Sequence, residues 1–292
     1  MRTTGILVIM LVGLAAGGVG PARTAERDPA LGQRGSSASA SVRYRQPVFE
    51  KVDITRGVVF RSASNAKGVT EELRLDVYHP AGDTLRARPA IIWIHGGGFR
   101  TGTDRTQKYI VALSTQFAQR GYVSVAPDYR VRAEGLVDRM PPLRDAVEDC
   151  RAALEWVRNH AAEYGIDPSK MAVGGGSAGG MTAVSLVAVE NTDAAKTARP
   201  KIFALIDLWG SPAAGVMMGD VDRNYPPTLI VHGTADQTVP FSQSEALAAR
   251  LKSAGIEHEL MPIAGGAHTP TDHLDAIVET TAAFLYSALK KL

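Results

Sequence analysis

The chain has 292 residues, 45% of them hydrophobic and 21% charged, with a formal net charge of +2. That is ordinary globular composition, long enough for one large core, and it carries neither a basic block nor a clustered Lys/Arg face of the kind that binds nucleic acid or acidic membranes. Its one cysteine, Cys150, excludes an internal disulfide.

Residues 1–22 begin with Arg2, continue through the apolar run from Ile6 to Ala16 and exit in small residues to Ala22. A short charged start, an apolar middle and a small-residue exit form a secretory signal segment, which places the mature chain in a periplasm or the medium. The apolar run is shorter than a membrane span requires and is broken by Gly13, Gly17 and Gly18. Residues 23–43 are small, polar and aperiodic, and read as a flexible leader. The catalytic domain is expected over 44–292.

From Tyr44 onward strand-like stretches appear at Val58–Phe60 and Leu73–Tyr78, the second alternating in and out. Short apolar runs then alternate with helical ones, at Ile91–Ile94, Val123–Ala126, Met171–Val173, Ile202–Leu208, Leu229–Val231 and Leu260–Ile263. They have the length and branching of buried parallel strands. The clearest helix starts near Pro141, with Val147, Cys150, Leu154 and Val157 on one stripe and Arg144/Glu148 and Arg151/Glu155 at i,i+4 spacing on the others. Cys150 is thus a core residue. The alternation predicts a doubly wound α/β sheet with its functional residues at the carboxyl ends of the strands.

Three consecutive glycines, Gly96–Gly98, follow the strand-like Ile91–Ile94, and a site that gives up side chains there implies a close approach to the backbone. Gly175-Gly176-Ser177-Ala178-Gly179 sits between a strand-like and a helical run in G-x-S-x-G spacing, the pattern of a strained strand-to-helix turn that exposes a serine hydroxyl at a helix head. Neither a dinucleotide loop nor a Walker loop fits the same glycines. A serine hydroxyl needs a base oriented by a third group. His268 follows a late strand and a glycine loop, and Asp236 follows the strand at Thr228–Val231, which places both on the same edge as Ser177. The order is Ser, Asp, His. His232 precedes the acid and reads as structural; His273, read as lying inside the last helix, is the fallback base.

His95-Gly96-Gly97-Gly98, Gly175–Gly180, His232-Gly233-Thr234-Ala235-Asp236 and Gly265-Gly266-Ala267-His268 together resemble the α/β-hydrolase carboxylesterases, near the hormone-sensitive-lipase-like and the feruloyl and acetylxylan esterases. The resemblance covers roughly Val48 to the C-terminus. It implies an α/β-hydrolase fold, a mostly parallel central sheet flanked by helices, and the stretch from Gly210 to Pro226 is too short for more than a minimal lid. The resemblance also implies a triad of Ser177, Asp236 and His268, an oxyanion hole of the Gly97, Gly98 and Ala178 amides, and a small-molecule ester as substrate, with no metal or cofactor. Gly176 and the Tyr129-Arg130-Val131-Arg132-Ala133-Glu134 run depart from the hormone-sensitive-lipase pattern, and Asp236-Gln237-Thr238-Val239-Pro240 stands closer to feruloyl esterases and prolyl-oligopeptidase-type peptidases. His95 reads as scaffold. Asp128-Tyr129-Arg130 either braces the oxyanion loop or forms a surface salt bridge. Trp209, Met217, Met218 and Tyr225, with Phe99, either line an acyl or aromatic pocket or pack their loops. Short-chain or aryl ester hydrolysis is the leading expectation, with a peptidase or a polyester depolymerase as alternatives.

Overall fold

The computed structural model describes residues 42–133, 140–197, 201–213 and 216–292, with no side-chain description over 194–197. The chain divides between Ser39 and Ala40, and the first unit lies outside the described residues. So do the expected signal segment, the leader up to residue 41, and Glu134 of the run after Tyr129. Arg43, read from sequence as leader, instead packs on the domain in an ion pair with Asp83.

A hairpin of β1 (Val52–Ser64) and β2 (Thr70–Pro80) starts the sheet. In β2 the alternating Leu73, Leu75 and Val77 are buried while Glu72 and Arg74 are exposed, the period-2 pattern of a strand with one covered face. The remaining strands are β3 (Arg88–Ile94), β4 (Val123–Pro127), β5 (Ile166–Gly176), β6 (Ala204–Leu208), β7 (Thr228–Gly233) and β8 (His258–Ile263). Among the described residues they form one eight-stranded sheet in the order β1-β2-β4-β3-β5-β6-β7-β8, parallel from β4 onward.

Every residue of β3 is buried, because helices cover both of its faces. Ile91 and Trp93 point to the layer made by α1 (Lys108–Gln119) and α6 (Leu274–Leu289), packing with Phe117, Ile277 and Leu285. Ile92 and Ile94 point the other way, to α2 (Met140–Asn159), α4 (Ala178–Thr197) and α5 (Phe241–Ser253), with Leu154, Val184 and Leu247. A four-residue turn of helix, α3 (Ala161–Tyr164), leads into β5. Each such apolar side chain contributes on the order of 1.5–3 kcal/mol when fully buried.

The α2 stripe faces inward as its spacing implies, Cys150 included. Its exposed charges do not make the expected i,i+4 pairs with each other. Glu148 meets Arg61 and Arg130, Arg151 meets Glu190 and Asp193 on neighbouring elements, and Glu155 meets Arg158 at i,i+3 on the helix itself. The strand order reverses between β4-β3 and β5, so the loops leaving β3 and β5 diverge at the switch point where open α/β sheets hold ligands. Among the described residues no helix is long and apolar enough to cross a membrane.

Candidate active site

Strand β5 runs into Ser177 at φ +56°, and α4 begins at the next residue. A non-glycine residue in this left-handed region is strained by roughly 1–3 kcal/mol and persists only where its surroundings hold it. Here the Ser177 amide donates to the Leu208 carbonyl at the end of β6 (2.9 Å), and the Ser177 carbonyl accepts the Met181 amide (3.0 Å). The turn also needs Gly179, because a Cβ there would lie 2.1 Å from the Ile94 carbonyl oxygen of β3. That close approach seats the head of α4 directly against the β3 loop.

The loops after β7 and β8 bring the other two groups. His268 Nε2 lies 2.9 Å from Ser177 Oγ, and His268 Nδ1 lies 2.7 Å from Asp236 Oδ2. Asp236 Oδ1 accepts the Thr238 (2.7 Å) and Val239 (3.0 Å) amides, so its rotamer is held from both sides. Burial alone would raise the Asp236 carboxyl, but the bond from His268 and the two amides hold it below the usual carboxylate range. A carboxylate kept ionised in this way sets the hydrogen of His268 on Nδ1, which leaves Nε2 free to accept from the serine hydroxyl.

On the facing side is the glycine loop. Gly97 adopts φ +104°, and a Cβ there would lie 2.3 Å from Thr103. The Gly96 amide is already bonded to Tyr109 Oη (2.8 Å) and Gln107 Oε1 (3.1 Å). The Gly97 and Gly98 amides have no acceptor among the described residues, and both glycines line the cleft beside Ser177 and Ala178. Tyr129 holds this loop from below: its hydroxyl donates to the His95 carbonyl (2.9 Å) and its ring stacks on His95 at 4.2 Å. His95 is fully buried, which pushes its imidazole down to about 4, and its Nδ1 bonds the Gly96 carbonyl. Asp128 forms instead an ion pair with Arg105, which also reaches Asp76. So in this segment Tyr129 is the brace and Asp128 the salt bridge.

The cleft has a volume of about 640 Å³. Several of its walls carry no sequence signal: Tyr109 and Lys108 open α1, Met181 lies on the first turn of α4, and Gln243 lies on α5. None of the five residues read as a pocket lines it. Phe99 is buried edge-on against Tyr129, and Trp209, at φ +42°, is buried edge-on against Tyr109. Tyr225 is buried, its hydroxyl donating to the Val184 carbonyl, and Met217 and Met218 pack against the core. Their apolar surfaces are taken up by packing against the core instead. His273 does not lie inside the last helix: it ends a short 3₁₀ turn before α6, with its side chain near Asp272.

Comparison with known proteins agrees with the α/β-hydrolase fold. The BD-FAE family profile matches residues 75–212 and that of the prolyl oligopeptidase family matches 213–292. The structure of Thermogutta terrifontis esterase 2 phosphonylated by cyclosarin is 30% identical, covers 82% of this chain and 95% of its own, and superposes with a TM-score of 0.61. Its butyrate-bound form is 28% identical over 81% and 94%, with a TM-score of 0.61. Among curated proteins, Secreted lipase 5 of Gibberella zeae is 32% identical over 140 residues, 44% of this chain. A probable carboxylic ester hydrolase, LipM, of Mycobacterium tuberculosis is 27% identical over 217 residues, 61% of this chain. The chain spans 26% of the length of the first and 48% of the second.

Proposed function

We propose that this chain, a member of the α/β-hydrolase carboxylesterases, hydrolyses carboxylic esters through an acyl-enzyme formed on Ser177. The observation that carries the reading is the unbroken line from Asp236 Oδ2 through His268 to Ser177 Oγ, at 2.7 and 2.9 Å, beside two unbonded loop amides. His268 Nε2 takes the hydroxyl proton as Ser177 Oγ attacks the ester carbonyl. The amides of Gly97, Gly98 and Ala178 receive the oxyanion, whose charge appears only in the transition state and intermediate. On collapse the C–O bond breaks and the alcohol leaves with the proton from His268. Water then attacks the acyl carbon by the same route, releasing the acid and restoring Ser177.

The cleft supports short-chain or aryl esters. Its volume suits a small ligand, its apolar wall is Met181, Val239 and the Tyr109 ring, and the Thermogutta relative holds butyrate. With p-nitrophenyl acetate, butyrate and octanoate, kcat/KM is expected to fall beyond about six to eight acyl carbons. Stronger turnover of emulsified triglyceride would contradict the substrate class.

Two cations, Arg100 and Lys108, also line the cleft, without a carboxylate among its lining residues. An ester bearing a carboxylate should therefore be preferred to its neutral methyl-blocked analogue. Arg100→Glu is expected to lower kcat/KM for the anionic ester about ten-fold and to leave the neutral one within two-fold, a ratio that shrinks in high salt. Equal losses on both substrates would remove Arg100 from substrate selection.

The prolyl oligopeptidase match over 213–292 favours amide cleavage as the second reading, and release of an aminoacyl anilide at rates comparable to esters would favour it. Export belongs to the proposal as well, resting on the composition of residues 1–22 and on a relative named as secreted.

A further inference from the structure

Behind Asp236 runs a line of buried polar groups that the ester chemistry leaves unexplained. His232 Nε2 lies 3.0 Å from Asp236 Oδ2, the same oxygen that meets His268, and 2.9 Å from the Val239 carbonyl. His232 Nδ1 lies 2.6 Å from Ser244 Oγ, at the start of α5, and Ser244 Oγ lies 2.8 Å from Ser211 Oγ. Ser211 Oγ is in turn hydrogen-bonded to Asp207 Oδ2, on β6 in the middle of the sheet. Asp207, Ser211, His232 and Ser244 are all fully buried, and among the described residues no cation pairs with Asp207.

Counting hydrogens along this line fixes its protonation. The Asp236 carboxylate and the Val239 carbonyl are both acceptors, so His232 Nε2 must carry a hydrogen. In a neutral imidazole Nδ1 is then bare and accepts the Ser244 hydroxyl. That leaves the Ser211–Ser244 contact to the hydrogen of Ser211, and the Asp207–Ser211 contact can be filled only by a hydrogen on Asp207. If Asp207 ionises, the hydroxyls reverse: Ser211 donates to Asp207, Ser244 to Ser211 and His232 Nδ1–H to Ser244. His232 Nε2 is then bare against two oxygens at 3.0 and 2.9 Å.

We propose that Asp207, Ser211, Ser244 and His232 form a positioning relay for the Ser177 site. A proton held on Asp207 keeps His232 in the tautomer that gives Asp236 its second imidazole donor, and loss of that proton switches the tautomer and withdraws the donor. Burial pushes the Asp207 carboxyl up to about 7, within the range in which an esterase works. Burial likewise lowers His232, opposed by the Val239 carbonyl and Asp236, which keeps the imidazole neutral while Asp207 titrates. The other ionisable groups facing the line are Tyr225 beside Asp207, Arg250 of α5 beyond Tyr225, and His268 beside Asp236. Gly180, where a Cβ would lie 2.7 Å from Asp207 Oδ1, keeps α4 from pressing a side chain onto the carboxyl.

The tautomer switch stands independently of the ester reading, and only its effect on rate rests on that reading. The test is nitrogen-15 NMR of the histidine-labelled full chain, titrated across the neutral range. In the parent, His232 is expected to pass from the Nε2–H to the Nδ1–H pattern with a midpoint near that of Asp207, about 7. In Asp207→Asn, whose amide always has a hydrogen for Ser211, the Nε2–H pattern should persist throughout. If Asp207→Asn does not fold, Ser211→Ala cuts the line midway and should remove the pH dependence of the His232 tautomer. On ester substrates, kcat/KM of the parent should fall about ten-fold as pH rises through the same midpoint, and Asp207→Asn should lack that alkaline limb. One unchanging His232 tautomer in the parent, or an identical alkaline limb in Asp207→Asn, would overturn the relay. A switching tautomer in a protein that hydrolyses no ester would support the relay and remove the esterase assignment.

Discussion

Ser177→Ala is expected to fold like the parent and to lose on the order of 10⁴–10⁶ in kcat on p-nitrophenyl butyrate. The loss follows from chemistry, since no other hydroxyl stands 2.9 Å from His268 Nε2 among the described residues. Folding survives because alanine meets the same left-handed strain at φ +56° as serine does, and the backbone bonds to Leu208 and Met181 are untouched. Circular dichroism and the unfolding midpoint should match the parent to within a few degrees. Retention of more than a few per cent of the activity would assign the nucleophile elsewhere.

Asp236→Asn should cost on the order of 10⁴ in kcat with little change in KM. With its oxygen kept by the Thr238 and Val239 amides, the asparagine presents its NH₂ to both imidazoles. His268 then has no acceptor for Nδ1–H and takes the opposite tautomer, which points a hydrogen rather than a lone pair at Ser177. His232 is less affected, because the Val239 carbonyl still accepts its Nε2–H. A loss below about ten-fold would mean that the orientation of His268 does not depend on this carboxylate. In the parent, acid should also inactivate. The Asp236 carboxyl is held low, so its contribution is present above the ordinary carboxylate range and disappears as pH falls through its depressed value.

What could be read from the sequence follows from how strongly the backbone restricts it. The buried strands were legible because helices cover both faces, which forces unbroken runs such as Ile91–Ile94 and Val123–Ala126. Ser177, Asp236 and His268 were legible as candidates because each sits at a strand end beside glycines that the turns require, and the structure brings the three within hydrogen-bond distance. Cleft walls were not. Tyr109 and Lys108 have ordinary helical chemistry and reach the serine through the sheet order that sets β3 beside β5, while Met181, one turn after Ser177 on α4, is an ordinary helical apolar residue. Trp209 and Tyr225 misled for the opposite reason, since large aromatics near a strand end suit a pocket and a core equally well. On α2, Glu148 and Arg151 found partners on β1, on the loop after β4 and on α4 that no local spacing encodes. The relay behind Asp236 was also out of reach, because Ser244 is distant in sequence from Asp207 and Ser211, and each alone is a common residue in an ordinary place.

The central claim is that Ser177 is an activated nucleophile, and mass analysis after exposure to a fluorophosphonate tests it most directly. A single adduct on the peptide containing Ser177, formed together with complete loss of p-nitrophenyl butyrate turnover and absent in His268→Ala, is the expected result. Full hydrolytic activity with no adduct, or an adduct on another serine that accounts for the lost turnover, would contradict it.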